Sequence, residues 1–347
     1  MNKKNMAIMT CIVLAVIATK ISKMQHWVGA PMIGLLFGIL LVNFLPNIDK
    51  DFKAGTTFAG KKFLNIGIIL AGGTLNFAQV IGYGAKALPL IIANICFSFG
   101  VAYLVGKKLG VTKNTSTLVG GGSCICGGTA IATLAGIIKA KEEEIAYAMT
   151  AIFLFDILAA VSYPYLATAL NLTVNQFGFL AGCAINDTSS VAAAEATYNA
   201  LHGLNLNLAI TVKLTRTTML IALAVIFTVL RVKEESALNN GAGSEVSLVK
   251  TIVKVFPMFI LWFLIMALLN TLGVFNMIST ESLKVGKLLS TGYKFFVTVA
   301  LAGVGFKIKF VDLFTKGLKP IILGGCTWAA VAASTFIFIH VFAGYVG

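Results

Sequence analysis

Long apolar segments recur along the whole chain and are separated by short polar stretches. A helix that spans a membrane needs about 20 predominantly apolar residues. The segments that come near this length are 6–20, 27–46, 63–80, 87–106, 115–138, 144–169, 176–199, 207–230, 251–272, 288–306 and 320–344. The pattern predicts an all-α integral membrane protein with about 9–11 transmembrane helices, in a single polytopic membrane domain over residues 1–347.

Composition and charge support a membrane location. Hydrophobic residues make up 58% of the 347 residues and charged residues 12%, whereas soluble domains have about 45–50% and about 25%. The net charge is +14, and basic residues cluster between the apolar segments, as the positive-inside rule describes for cytoplasmic loops. We therefore expect a multi-pass protein of the bacterial inner membrane, no nucleic-acid partner, and a cytoplasmic loop over the polar segment 231–250.

Two apolar segments, 115–138 and 176–199, have an unusual composition and resemble each other. The first contains "GGGSCICGGTAIA" and the second "AGCAINDTSSVAAA", and they align without gaps at an offset of 60 residues. Because each glycine costs a helix roughly 1 kcal/mol relative to alanine, the glycine cluster favours unwinding. In a bilayer, unwound backbone must be buried in protein or line a cavity. We therefore predict two broken or re-entrant elements.

Counting basic residues gives a topology for these two elements. The loop 139–143 is predicted to be cytoplasmic, while the uncharged loops 170–175 and 200–206 are predicted to be external. This arrangement requires each element to return to the side that it entered, the first from the cytoplasm and the second from outside. Two alternatives stay open: both elements span the membrane as interrupted helices, or the glycines serve close packing between helices.

The same two segments carry the candidate site. Released N–H groups at the start of a half-helix can hold an anion, hydroxyl groups can add donors, and Lys213 and Arg216 share one helix face at a spacing of three. The predicted substrate-binding residues are Ser123, Cys124, Cys126, Gly127, Gly128, Thr129, Asn186, Thr188, Ser189, Ser190, Lys213 and Arg216. The alternative for Lys213 and Arg216 is snorkelling to the membrane interface.

Three acidic residues inside apolar segments are candidates for a coupling ion. They are Asp156, Asp187 and Glu195. An acidic side chain at membrane depth costs at least about 2.5 kcal/mol, and it therefore points to a functional site. Structural pairing with Lys213 or Arg216 is the alternative.

The sequence does not favour a metal site, a cofactor site or an enzyme active site. A zinc site needs about four ligands, and His26, His202 and His340 share no ligand spacing with the cysteines. All six cysteines lie in apolar segments, so we expect no disulfide framework. A nucleotide-binding phosphate loop is missing as well.

Four motifs occur in a fixed order: "GGGSCICGGTAIA", "IKAKEEEIAYA", "AGCAINDTSSVAAA" and "VKLTRTTML". Together they resemble the sulfate exporter family, the YeiH-like bacterial membrane proteins, over roughly residues 25–340. The resemblance implies a secondary transporter with inverted repeats and broken helices. It also implies distant kinship with the superfamily of cation–proton antiporters and bile-acid symporters.

Two functions follow as hypotheses. The first is a secondary transporter of a small anion, such as sulfate or an organic sulfonate or carboxylate, that works by alternating access and is coupled to H⁺ or Na⁺. The second is a cation–proton antiporter of the Na⁺/H⁺ type. The expected partners are the anionic substrate, the coupling ion and the lipid bilayer. The sequence leaves a homodimer and a channel mechanism open.

Overall fold

The computed structural model describes residues 2–25, 28–45, 47–238, 258–279, 284–309, 311 and 318–347, except for the side chains of residues 142 and 233–238. Within these ranges every regular element is a helix. In chain order the elements are α1 (Lys3–Met24), α2 (Ala30–Phe44), α3 (Ile48–Phe58), a π-helical turn (Ala59–Phe63), α4 (Leu64–Gly72), α5 (Phe77–Leu109), α6 (Lys113–Cys124), α7 (Gly128–Ile138), α8 (Glu142–Ala169), α9 (Val174–Ala184), α10 (Thr188–His202), α11 (Leu208–Leu238), α12 (Met258–Thr271), α13 (Val274–Met277), α14 (Val285–Gly305), α15 (Leu318–Val341) and α16 (Ala343–Val346).

Six helices in the described part of the chain are long and apolar enough to span a membrane. They are Lys3–Met24, Phe77–Leu109, Glu143–Ala169, Leu208–Val232, Val285–Gly305 and Leu318–Val341. Shorter apolar helices, among them α2, α7 and α12, lie between them. The prediction of an all-α, multi-pass integral membrane protein is confirmed.

Two predicted boundaries differ from the structure. The apolar segment 63–80 is divided by a turn after Gly72, and its first part continues a helix that begins at Ile48. The charged residues of α3, such as Asp49 and Lys53, keep this helix out of a search for apolar runs. The predicted loop 231–250 begins as helix, because α11 extends to Leu238; residues 239–250 lie outside the described residues.

The helices form two bundles. In the first bundle α1, α2, α3, the π-helical turn, α4, α12 and α14 pack against one another. In the second bundle α5 to α11 pack with α15. The two bundles meet along α2 and α10, α10 and α14, and α5 and α12.

The bundles are sealed together at one end, which we call the closed end. Several hydrogen bonds cross the seam there: Gly29 N donates to Thr197 Oγ1 at 3.2 Å, Asn207 Nδ2 to Thr74 Oγ1 at 2.8 Å, Asn205 Nδ2 to Ser290 Oγ at 3.2 Å, and Phe77 N to Thr271 Oγ1 at 2.7 Å. Toward the other end the bundles separate around a cavity, and the candidate site lies at the inner end of that cavity.

Candidate functional site

The first unusual segment folds as a helical hairpin made of α6 and α7. The two half-helices pack through an apolar interface that includes Leu118 and Leu134. Their outer ends lie together, because the Glu144 carboxylate accepts hydrogen bonds from Thr112 Oγ1 at 2.7 Å and from Asn114 Nδ2 at 3.1 Å. The hairpin therefore returns to the end of the bundle at which it starts.

The second unusual segment is a similar hairpin made of α9 and α10. The ring of Phe177 stacks on that of Tyr198 with their centroids 3.8 Å apart, and Thr168 Oγ1 lies 2.9 Å from His202 Nε2. This hairpin also returns to the end at which it starts. The two hairpins start at opposite ends of the bundle, because α8, a helix of 28 residues and about 42 Å, connects them.

The turns of the two hairpins, residues 125–127 and 185–187, are the hairpin tips. Gly127 has φ 61° and ψ −122°, a conformation that only glycine adopts without strain. A Cβ atom on Gly127 would lie 3.3 Å from Asp187 Cβ, so the tips are in contact. Other glycines of the cluster serve packing instead, since a Cβ atom on Gly121 would collide with the Leu134 side chain.

Two cations on α11 hold the hairpin tips together. Lys213 and Arg216 are fully buried, with 0% of each residue exposed. The Lys213 ammonium donates to Ile125 O at 2.7 Å, to Ile185 O at 2.9 Å and to Asn186 O; the Arg216 guanidinium donates to Cys124 O at 2.5 Å, to Cys183 O at 2.6 Å, to Ile185 O at 3.0 Å and to Ser123 O. Most of these carbonyls end α6 and α9, where each helix has about half a negative charge.

These contacts direct the N–H donors of Lys213 and Arg216 to the protein backbone. The sequence suggests direct contact with an anion, or snorkelling to the interface. Both side chains lie instead behind the tips and use their N–H donors on backbone carbonyls. The spacing of three correctly puts them on one helix face, but spacing alone does not reveal which atoms that face meets.

A cavity of about 1100 Å³ lies between the bundles and reaches the hairpin tips. The second bundle lines it with Cys126, Gly128, Thr129, Asp187, Thr188 and Ser189, and the first bundle with Lys61, Asn65, Ile68, Val304 and Lys307. Lys139 and Arg231 also line the cavity. Among the described lining residues, four are basic and one, Asp187, is acidic. The cavity wall is therefore predominantly positive.

Two helix N-termini meet at the inner end of the cavity. The helix α7 begins after Gly127 without a side-chain cap, and N–H groups in this position bind anions. The helix α10 is capped by Asp187, whose carboxylate accepts hydrogen bonds from Ser189 N at 2.9 Å and from the Ser189 hydroxyl. The inner end of the cavity thus combines the N-terminus of α7, hydroxyl groups and one carboxylate.

The sequence of this chain is similar to a known protein family over nearly its whole length. Residues 6–324 match the family described as "Conserved hypothetical protein 698". A UPF0324 membrane protein of Streptococcus pyogenes serotype M6 is 38% identical over 330 residues, which cover 95% of this chain and 94% of the relative. The chain belongs to the UPF0324 membrane protein family.

Other UPF0324 membrane proteins are similarly close. That of Fusobacterium nucleatum is 35% identical over 346 residues, 96% of each chain. That of Streptococcus agalactiae serotype V is 34% identical over 322 residues, 92% of each chain. No solved structure matches the chain.

Seven of the twelve predicted substrate-binding residues of this UPF0324 protein, Lys213 and Arg216 among them, lie away from the cavity wall. Ser123 places its hydroxyl 3.2 Å from Thr327 Oγ1. Cys124, at the end of α6, and Asn186, on the second tip, are both fully buried. Gly127 and Ser190 lie beside residues that line the cavity without lining it themselves. Of the predicted set, the cavity wall holds Cys126, Gly128, Thr129, Thr188 and Ser189.

The three acidic residues predicted to bind a coupling ion lie in three different environments. Asp187 lines the cavity. Glu195 caps α11, because its carboxylate accepts hydrogen bonds from Ala209 N at 2.7 Å and from Ile210 N at 3.1 Å. Asp156 lies behind the second hairpin tip, where its Oδ1 accepts hydrogen bonds from Asn186 N and Asp187 N. Within the described residues no three His, Cys, Asp or Glu side chains form a group that could hold a metal ion.

Sequence reasoning missed several polar residues on the cavity wall, among them Lys61, Asn65 and Lys307. Lys61 and Lys307 follow the positive-inside pattern, and that pattern does not separate a lysine at the interface from one in a cavity. Asn65 carries a clearer signal, because it is a lone amide within the apolar stretch 63–71. A polar side chain in such a stretch usually faces protein or water rather than lipid.

Proposed function

We propose that this UPF0324 protein is a secondary transporter of small anions that works by alternating access. The observation that carries the proposal is the 1100 Å³ cavity, which extends from a basic opening to the uncapped N-terminus of α7 at the hairpin tips. The substrate class that fits this chemistry is sulfate or an organic sulfonate or carboxylate. The positive-inside rule assigns the open end of the cavity to the cytoplasm.

The charges around the cavity favour an anion over a cation. Lys61 and Lys307 face it from the first bundle, and the N-terminus of α7 adds about half a positive charge from the second. The hydroxyls of Thr129 and Thr188 supply neutral hydrogen-bond donors at the same depth. An anion at the tips would therefore meet donors from both bundles, as a site between moving parts requires.

The closed end supports alternating access. The hydrogen bonds across the seam contribute about 0.5–1.5 kcal/mol each, so their loss on opening is within reach of ligand-driven changes. The two hairpins enter from opposite ends and their sequences align at an offset of 60 residues. This arrangement supports an inverted repeat, and with it the resemblance to the sulfate exporter family and the antiporter and bile-acid symporter superfamily.

The test is counterflow of labelled sulfate, and of a panel of organic sulfonates and carboxylates, in proteoliposomes. We expect exchange by the wild type and a loss of about tenfold or more in Lys61→Gln and Lys307→Gln, since a charged hydrogen bond contributes about 1.5–3 kcal/mol. Lys62→Gln is the matched control, because Lys62 adjoins Lys61 but does not line the cavity. Equal activity of the three variants, or no anion exchanged by folded protein, would contradict the proposal.

Cation–proton antiport is the second candidate, and one observation favours it. Asp187 brings a carboxylate to the inner end of the cavity, where a cation could bind and compete with a proton. Asp187→Asn separates the two functions. An antiporter would lose sodium-driven proton movement in this variant, whereas an anion transporter would keep anion exchange.

A further inference from the structure

The buried side chains of Asp156 and Asn186 leave polar atoms without partners. Asp156 is 1% exposed and Asn186 is 0% exposed. Among the described residues, Asp156 Oδ2 and both side-chain atoms of the Asn186 amide have no hydrogen-bond partner. A buried polar atom left unpaired costs about 1–3 kcal/mol. Unpartnered buried atoms on two residues in contact point to a site that binds a proton or another ligand.

The hydrogen bonds to Asp156 show which of its oxygens is different. Asp156 Oδ1 accepts from Asn186 N at 2.8 Å and from Asp187 N at 3.0 Å, while Oδ2 accepts from neither. An ionised carboxylate accepts on both oxygens, whereas a carboxylic acid accepts on its carbonyl oxygen and donates from the other. The asymmetric pattern fits an acid whose hydroxyl is Oδ2. Asn186, whose backbone N–H already donates to Asp156, has an unpartnered side-chain oxygen that can accept a hydrogen bond from such a hydroxyl.

Several ionisable groups surround Asp156, so its protonation state affects the charge balance at the hairpin tips. The ionisable groups that act on Asp156 are Asp187 on the second tip, Lys213 and Arg216 on α11, and Tyr163 on its own helix. The thiols of Cys124 and Cys183, at the ends of α6 and α9, lie next to Arg216. Binding or release of one proton by Asp156 therefore changes the net charge at the hairpin tips by a full unit.

We propose that Asp156, with Asn186 as its partner, is the binding site of a coupling proton; the coupling to an anion rests on the proposed function above. The proton resides on Asp156 Oδ2 and is donated to Asn186 Oδ1. Asp156 Oδ1 meanwhile holds the backbone of the second tip, so the proton site is connected directly to the element that contacts the cavity. Because the bound proton adds positive charge behind the anion site, proton and anion strengthen each other's binding.

Trp328 provides a local reporter for this site. Its ring stacks on Tyr163 with centroids 6.2 Å apart and on Phe155 with centroids 5.4 Å apart. Both of these residues are on α8, the helix that carries Asp156. The chain has three tryptophans, so Trp27→Phe with Trp262→Phe leaves Trp328 as the sole tryptophan.

The first experiment is a pH titration of Trp328 emission in purified single-tryptophan protein, over about pH 5 to 9. We expect one protonation step in the parent protein, the same step in Glu195→Gln, and no step in Asp156→Asn. Glu195 is the matched control, because it is a buried carboxylate whose oxygens are paired. If Asp156→Asn does not fold, Asp156→Glu replaces it and should shift the midpoint.

Three results would overturn the proton site. A step that persists in Asp156→Asn, or keeps its midpoint in Asp156→Glu, would belong to another group. A parent protein that folds but gives no step would mean that Asp156 does not titrate. Emission that follows sodium concentration at fixed pH, and not pH itself, would assign the site to a cation.

A second measurement tests the link to the anion separately. Adding sulfate or a sulfonate to weakly buffered protein should cause proton uptake, and anion affinity should weaken by up to about tenfold per pH unit above the midpoint. Asp156→Asn, which resembles the protonated acid, should bind the anion without this pH dependence. If Trp328 emission titrates with pH but the protein binds no anion, the proton site stands and the proposed function is wrong. Failure of the proton site and failure of the proposed function are therefore distinguishable.

Discussion

The hydrogen bonds of Arg216 lead to a different prediction from the anion contact that the sequence suggests. Arg216→Gln is expected to destabilise the protein rather than only to weaken anion binding. The guanidinium donates to four backbone carbonyls drawn from both hairpins. If Arg216 only contacted the substrate, its replacement would leave the fold intact.

The magnitude follows from the carbonyls that lose a donor. Ile185 O keeps a hydrogen bond from Lys213, and Cys183 O keeps one from Asn94 at 3.5 Å. The other two carbonyls, those of Ser123 and Cys124, lose their donor, and the shorter glutamine side chain is expected to leave both unpaired in a buried site. At about 1–3 kcal/mol for each unpaired group, the cost is about 2–6 kcal/mol. The helix ends also lose a counter-charge that contributes about 0.3–1 kcal/mol at each. These losses are a large part of a typical stability of about 5–15 kcal/mol.

The assay is thermal unfolding in detergent, with size-exclusion profiles before heating, for the wild type, Arg216→Gln and Lys62→Gln. We expect Arg216→Gln to unfold at a clearly lower temperature or to be recovered as aggregate, and the exposed Lys62→Gln to match the wild type. If Arg216→Gln unfolds like the wild type but no longer binds the anion, Arg216 contacts the substrate and the positioning role is refuted.

Three further predictions follow from individual contacts. Gly127→Ala should lower the unfolding temperature, since alanine in this conformation is strained by about 1–3 kcal/mol; an unchanged temperature would show that the tip adapts freely. In the double variant Thr74→Cys with Asn207→Cys, whose native side chains are 2.8 Å apart, a disulfide should stop anion exchange until it is reduced. Anion exchange that continues in the cross-linked protein would show that the seam does not need to open. A hydrogen bond from Lys309 lowers the pKa of Asp49. The pair therefore stabilises the protein fully above the unfolded-state pKa of about 3.9. This stabilisation is lost as the pH falls through the lower folded-state pKa. Asp49→Asn should therefore cost at most about 1 kcal/mol at neutral pH and nothing in strong acid, as unfolding at both pH values can check.

Residue types and their order were enough to predict the helical fold and the two unusual segments. Five glycines within 120–128 are rare in a helix, and the structure has a helix end within that stretch. Gly127 alone of these has a positive φ, while Gly121 packs closely on Leu134. The two interpretations of the cluster, unwinding and close packing, therefore apply to different residues.

The partners of the charged residues could not be predicted in the same way. The spacing of Lys213 and Arg216 defines a helix face, but the atoms opposite it come from residues 27 to 93 positions away. Asp156 likewise meets a tip that lies 30 positions later in the chain. Such contacts depend on how the hairpins cross, and a helical period carries no information about that crossing.

The charges at the hairpin tips limit the kind of anion that fits there. Lys213 and Arg216 are each offset in part by a helix C-terminus with about half a negative charge, while the two helix N-termini contribute about half a positive charge each. Asp187 and an ionised Asp156 would cancel the remaining positive charge, so the site would be close to neutral and would hold an anion weakly. With Asp156 protonated, the site has a net charge of about one positive unit. A monovalent anion that arrives with one proton is then matched, whereas sulfate remains under-compensated unless Lys61 or Lys307 moves toward it.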